Sequence, residues 1–206
     1  MSKTYYDTPL WDSSLSIEER LDYLLSEMTL EEKIQSMETG NPEIERLGVP
    51  AFHVGGEAAH GVQARHDQGF DMNEPDLTTI FPNPIGMSAS FDEELIRKAG
   101  KVVGTEVRGL HSREHKGSLS VWAPTIDMER DPRWGRTEEA YGEDPLLTGK
   151  MAGAYVEGLQ GEDDHYLLTA ATLKHFYANN VEEGRVWKSS TVFPRNGSII
   201  WNHFVR

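Results

Sequence analysis

The chain has 206 residues, no cysteine, and a formal net charge of −14 from 20 basic and 34 acidic side chains. The lack of cysteine excludes disulfides, thiol nucleophiles and cysteine-ligated zinc. So acidic a surface repels nucleic acid and anionic membranes and favours uncharged partners. Hydrophobic residues make up 37% of the chain and aromatics 9%, enough for a sizeable core in one domain or at most two. Met1 to Trp11 show no basic start followed by an apolar run, so no signal peptide is visible. No window approaches the ~18 apolar residues of a membrane span, and the expected location is cytoplasmic.

In chain order the elements are helical first, then alternating. Ser16 with Glu19, Thr29 with Glu32 and Ser90 with Glu93 have capping-box spacing, a hydroxyl at the N-cap and a glutamate three residues on. Behind the first, Ile17, Leu21, Leu24, Leu25 and Met28 share a helical face; behind the second come Leu30, Ile34 and Met37. These helices form a lead-in over about residues 12–40, and βα units follow over about 50–206. Behind the third box, Leu95, Ile96, Ala99, Val102, Val103, Val107 and Leu110 predict the longest amphipathic helix. A fourth helix is expected from Pro145 to Gly158, with Leu146, Leu147, Met151 and Tyr155 inward.

Between the helices, Ala51–Val54, Ile85–Ala89, Leu119–Ile126 and Leu167–Leu173 read as short strands buried on both faces. Strands alternating with helices predict βαβ units and an α/β fold with a parallel sheet. The connection from Gln63 to Asn83 is long for such a domain and carries Arg65, Asp67, Asp71 and Glu74; loops of that length are usually functional or mobile.

The most informative stretch runs from Trp122 to Arg136. An apolar run passes within a few residues into three arginines and three acids threaded with Pro132, Trp134 and Gly135. A solvated charge run seldom carries tryptophan and proline in its middle. A rigid loop at the mouth of a barrel, aiming an arginine at a polar ligand, has this composition. A surface salt-bridge network is the alternative.

Asp131-Pro-Arg-Trp-Gly-Arg136, followed by Glu139 and Tyr141-Gly-Glu-Asp144, resembles the signature of glycoside hydrolase family 3, the β-glucosidase and β-xylosidase group. Two further segments agree in order. Arg46-Leu-Gly-Val-Pro50 with Glu57-Ala-Ala-His-Gly61 resembles the family's first strand and loop. Lys174-His-Phe-Tyr-Ala-Asn-Asn180 with Arg185 resembles its fourth. The resemblance runs from about Ser16 to Val192. It implies a parallel (β/α)8 TIM-barrel-type domain. A closed barrel takes about 250 residues, so four strands ending on the apolar Trp201–Arg206 segment read as roughly its first half, truncated.

The resemblance also implies a retaining hydrolysis of terminal β-D-glucosyl or β-xylosyl residues. That reaction needs two carboxyl groups about 5–5.5 Å apart, and by the resemblance both lie beyond Arg206. No catalytic residue is therefore assigned within the chain, and none of Asp127, Asp131, Glu139 and Asp144 matches the nucleophile motif. What the matched positions supply is the sugar cradle. Glu57 accepts from hydroxyls, and Arg136, Lys174, His175 and Arg185 donate to them. Charge-assisted hydrogen bonds at fixed positions suit a neutral polyol, and groups left unpaired penalise a wrong epimer. In a parallel arrangement these five residues converge at the strands' C-terminal ends. Each also has a plainer reading. Glu57 could be a helix N-terminal acid, Arg136 a partner of Glu138 or Glu139, Lys174 and His175 a polar strand end, and Arg185 a solvated loop cation.

The expected partners are small β-glycosides or oligosaccharides, with no nucleic acid, no membrane and no cofactor; uncovered barrel edges would favour self-association. Tyr177-Ala-Asn-Asn180 stands where the family's β-N-acetylhexosaminidases carry Pro-Gly-His-Gly, which points to the glucosidase or xylosidase branch. Gly55-Gly56 depart from the bulky aromatics that relatives often place before the glutamate, so the inner wall of the subsite differs. His60 reads as structural. His111 and His115 have the spacing of a metal pair, but no third ligand follows and Arg113 and Lys116 repel a cation, so no metal is expected. Nucleotide-binding loops and a Gly-x-Ser-x-Gly elbow are absent from the sequence. A non-catalytic carbohydrate-binding or scaffold module built on the same half barrel is the alternative function.

Overall fold

The structure, a computed structural model, describes residues 5–38, 40–65, 69–71, 73, 76–114, 116–176 and 179. The chain divides into two compact units, Met1–Val54 and Gly55–Arg206.

The first unit is built on α1 (Ile17–Glu27) and α2 (Leu30–Gln35). Both helices start with complete capping boxes, Ser16 with Glu19 and Thr29 with Glu32. Met28, Ile44 and Leu47 form its small core, with Leu24 and Val49 against them. Ile17, Leu21 and Leu25 stay exposed, so only part of the expected inward face is used. A unit of this size has too few apolar partners to cover the whole stripe. Strand β1 (Gly40–Asn41) pairs antiparallel with the start of β2 (Phe52–Gly56), Gly40 facing His53 and Asn41 facing Phe52.

In the second unit the chain runs from the end of β2 through α3 (Pro84–Ser88), α4 (Glu93–Glu114), β3 (Ser120–Val121), α5 (Pro145–Gln160) and β4 (Ala170–Ala171). Strands β3 and β4 are parallel and α5 crosses between them, a βαβ unit. The Trp122 amide donates to Gly56 O (2.6 Å), tying the end of β2 to β3. Pairing of the third and fourth strand segments continues past the short ladder: Thr125 bridges Lys174 in parallel, and the Ile126 amide donates to Lys174 O (2.7 Å). Pro124, which has no amide hydrogen, breaks the predicted Leu119–Ile126 strand at this point.

Further expectations are corrected. Ile85–Ala89 is not a strand: Ile85–Ser88 lie on the short helix α3 and Ala89 is its C-cap. Pro84 sits at its first position, where a missing N–H is harmless, and the Ser88 hydroxyl donates to the Tyr141 carbonyl (2.5 Å). A five-residue apolar run does not separate strand from buried helix by periodicity. The long helix is capped not by Ser90 but by Asp92, whose carboxylate accepts from the Leu95 amide (3.0 Å); the Ser90 hydroxyl accepts from the Asp92 amide. For α5 the cap is Asp144, and the helix extends two residues beyond the expected end.

The core joins α4 and α5 to the strands through Ile96, Val103, Val121, Ala123, Tyr141, Tyr155 and Leu159. The buried Tyr155 hydroxyl donates to Ala58 O (2.7 Å), fixing the segment that follows Glu57. Helices α4 and α5 meet across glycines: a Cβ on Gly100 would lie 2.5 Å from Tyr155 O, one on Gly104 2.6 Å from Leu159 O, and one on Gly158 would overlap the Arg97 carbonyl. Both sides are backbone, so neither yields cheaply. Gly158→Ala is expected to lower stability by roughly 1–3 kcal/mol, read as a fall in the urea midpoint at constant m. An unchanged midpoint would show that the helices can separate freely. No described helix is long and apolar enough to cross a membrane.

Candidate functional site

The site lies at the ends of the strands of the second unit. Glu57 follows β2 directly, and its backbone bridges to Gln63, which folds the first loop back on itself. Lys174 and His175 follow β4. Arg136 is the N-cap and Glu139 the last residue of a one-turn 3-10 helix, Thr137–Glu139, so that their side chains, three residues apart, face each other.

The ion pairs form a chain. Lys174 Nζ lies 3.2 Å from Glu57 Oε2 and 3.7 Å from Glu139 Oε2. Arg136 grips Glu139 with two hydrogen bonds, Nε to Oε1 (2.7 Å) and Nη2 to Oε2 (2.5 Å), the bidentate geometry that makes such pairs strong. Its Nη1 reaches His175 Nε2 (2.8 Å). Asp127 Oδ2 then takes both the His175 backbone amide (2.9 Å) and His175 Nδ1 (2.7 Å). Burial alone would raise the Glu139 carboxyl, but Arg136, then Lys174, outweigh it and hold it below the usual glutamate range. Lys174 and Arg136 are largely buried, with side chains only 13% and 17% exposed, and a lysine so placed requires its anionic partners.

Two cavities share this charged wall, each lined by Glu57, Arg136 and Lys174. One, of about 570 Å³, adds His60, Gln63, Asn83 and Glu138. The other, of about 620 Å³, adds Trp122, Thr172, His175 and Phe176. Each is of ligand size. Among the described residues no group of three or more His, Cys, Asp or Glu could hold a metal ion.

Of the five residues named from the sequence, the structure brings Glu57, Arg136, Lys174 and His175 together; Arg185 lies outside the described residues, as do Asp67, Glu74 and His115. Arg136 does pair with Glu139, so the plainer reading of that arginine holds alongside its place at the cavity wall. His175 is not a free donor: both ring nitrogens are engaged. His60 uses Nδ1 on Phe81 O (3.0 Å) and still lines the smaller cavity. The three arginines of the Trp122–Arg136 stretch part ways. Arg136 turns into the site, and Arg130 donates to Asn179 O (2.9 Å) beside the Trp134 indole, which donates to Asn179 Oδ1. Arg133 pairs with Asp131 at the surface and holds that carboxyl far below its usual range.

Sequence reasoning gave Asp127, Arg65 and Trp122 no place in the sugar cradle. The guanidinium of Arg65 stands 5.6 Å above the Trp122 ring and 4.0 Å from Glu57 Oε1, a cation–π contact beside an ion pair. Gly55 makes room for that ring. Its φ is +107° and a Cβ there would lie 2.7 Å from Trp122 Cζ2, so glycine at this position is what lets tryptophan form the wall. Gly55→Val is therefore expected to displace Trp122 and lower stability by roughly 1–3 kcal/mol or more. Tryptophan fluorescence compared with that of Trp122→Phe checks this, and identical spectra with an unchanged melting point would refute the packing.

Parallel strands alternating with helices, with charged side chains gathered beyond the strand ends, define a TIM-barrel-type α/β domain. The chain belongs to glycosyl hydrolase family 3: the profile of the family's N terminal domain matches residues 26–198. An exo-1,4-beta-xylosidase of Emericella nidulans is 39% identical over 178 residues, 86% of this chain and 23% of the relative. A beta-xylosidase/alpha-L-arabinofuranosidase of Medicago sativa is 40% identical over 191 residues, 91% of this chain and 24% of the relative. Among solved structures, a family 3 exo-β-xylosidase in complex with a xylobiose aziridine activity-based probe superposes with a TM-score of 0.76 at 35% identity, covering 88% of this chain and 23% of that one. Beta-glucosidase 3B of Thermotoga neapolitana, in complex with α-D-glucose, gives 0.65 at 30% identity over 79% of this chain and 24% of that one. The chain thus spans about a quarter of the length of the curated relatives it matches.

Proposed function

We propose that this chain supplies the sugar-binding part of a retaining β-glycosidase, taking the terminal β-xylosyl residue of a small glycoside or oligosaccharide in preference to a β-glucosyl one. The observation that carries the reading is the convergence of Glu57, Arg136 and Lys174, residues far apart in sequence, on one wall shared by two sugar-sized cavities. A pyranose offers several neutral hydroxyls, and each oriented charge can take one in a charge-assisted hydrogen bond. Preference for the pentose is supported by relatives named as xylosidases at 39–40% identity and by the higher TM-score of the xylosidase structure.

Of the carboxylates at the site, Glu57, Asp127 and Glu139 are already committed to a cation or to His175. None is placed as a nucleophile facing a proton donor, and the catalytic carboxyl pair is assigned to another part of the protein. The test is calorimetric titration of the chain with methyl β-D-xyloside and methyl β-D-glucoside, beside turnover of an aryl β-xyloside. Saturable xyloside binding, weaker glucoside binding and no turnover are expected. Failure to bind either sugar would overturn the reading; turnover abolished by Asp127→Asn would move the nucleophile into this chain.

A further inference from the structure

We propose that Asp127 is a positioning residue that fixes His175 as the neutral tautomer protonated on Nδ1, so that Nε2 is left as an acceptor holding the Arg136 guanidinium in the site. The inference rests on the reading of this site as a sugar cradle for its consequence, but not for its geometry.

The assignment follows from what each partner can do. Arginine carries five N–H donors and no acceptor, so at 2.8 Å from Arg136 Nη1 the His175 Nε2 atom must accept. A neutral imidazole with a bare Nε2 carries its proton on Nδ1. That nitrogen lies 2.7 Å from Asp127 Oδ2, an acceptor. The same oxygen takes the His175 amide at 2.9 Å, which fixes the ring's position as well as its tautomer. A doubly protonated ring would set an N–H against an N–H and a cation against Arg136. Asp127 is only 3% exposed, and a carboxylate so buried is stable only where its lone pairs are used.

The groups around Arg136 make the arrangement directional. Glu139 holds Nε and Nη2 from one side while His175 holds Nη1 from the other. With three of its nitrogens fixed, the guanidinium keeps one orientation at the cavity wall instead of several. Preorganisation of this kind strengthens binding by removing the entropy of ordering the side chain. The role is that of the partners which orient histidine ligands in metal sites, an outer carboxylate selecting which ring nitrogen is free. Here the group being oriented is a cation that would meet the sugar.

The experiment is a long-range proton–nitrogen correlation spectrum of the histidine-labelled 206-residue chain at neutral pH, with His175 assigned by the signal lost in His175→Gln. The expected spectrum shows His175 protonated on Nδ1 and bare on Nε2. In Asp127→Ala the ring is expected to move toward the Nε2-protonated tautomer, and methyl β-D-xyloside affinity to fall about tenfold or more. Asp127→Asn retains an oxygen that can accept both contacts and is expected to retain the tautomer with a smaller loss of affinity. A wild-type ring protonated on Nε2, or on both nitrogens, would overturn the proposal, and so would Asp127→Ala that folds with the tautomer unchanged. If Asp127→Ala does not fold, the wild-type and Asp127→Asn spectra decide. An Nδ1-protonated ring in a chain that binds no sugar would leave the role of Asp127 standing and reject the sugar reading instead.

Discussion

Glu139→Ala is expected to destabilise the second unit by about 2–4 kcal/mol at neutral pH, and to weaken sugar binding at least tenfold. Removing this carboxylate takes two hydrogen bonds from Arg136 and one of the two anions from Lys174. Breaking one partner out of a buried ion pair costs about 3–5 kcal/mol; the residual exposure of Glu139 and the contacts left to Arg136 and Lys174 lower the figure. The pH dependence has a definite sign. The folded-state value of Glu139 is depressed, so its contribution is present above the ordinary glutamate value, about 4.3, and is lost as pH falls through the lower folded value. Urea midpoints of wild type and variant should therefore differ at pH 7 and converge in strong acid. A difference that stays constant down to pH 2 would contradict the assignment of the stabilisation to the ionised pair.

Glu57→Gln is expected to reduce methyl β-D-xyloside affinity about 10- to 100-fold with only a small loss of stability. The side chain keeps its shape, but a hydrogen bond to a charged group, about 1.5–3 kcal/mol, is exchanged for a neutral one. Lys174 keeps Glu139 at 3.7 Å, and its burial is not left uncompensated. Calorimetric titration beside thermal melts separates the two effects. Equal affinity in the two proteins would remove Glu57 from the cradle. A melting point that falls as far as that of Glu139→Ala would make Glu57 a structural ion-pair partner and no more.

The alternation of capped amphipathic helices with short apolar runs, and the three family segments, were fixed by the order of residues and were legible without coordinates. Local rules govern them: Ser16 and Thr29 cap their helices because hydroxyl and glutamate three residues apart satisfy each other's backbone. The resemblance to the family marked Glu57, Arg136, Lys174 and His175, and their convergence was expected because parallel strands send residues at their C-terminal ends to one side. Only the tertiary structure decided what depends on distant partners. Ile85–Ala89 is helical because Pro84 starts it and Tyr141, more than fifty residues on, receives the Ser88 hydroxyl. Whether Arg136 pairs with Glu138 or Glu139 depends on the turn between them, and Glu139 faces it because Thr137–Glu139 closes as a 3-10 turn. Asp127 reads as one acid among many in a charged loop. Its contact with His175 spans 48 residues and exists because the third and fourth strand ends pair in parallel at Thr125 and Lys174. The roles of Trp122 and Arg65 arise the same way, from the space that Gly55 leaves open. Sequence order sets which groups are available, and the packing of strand ends sets which of them meet, because hydrogen bonds and ion pairs act only over a few ångströms.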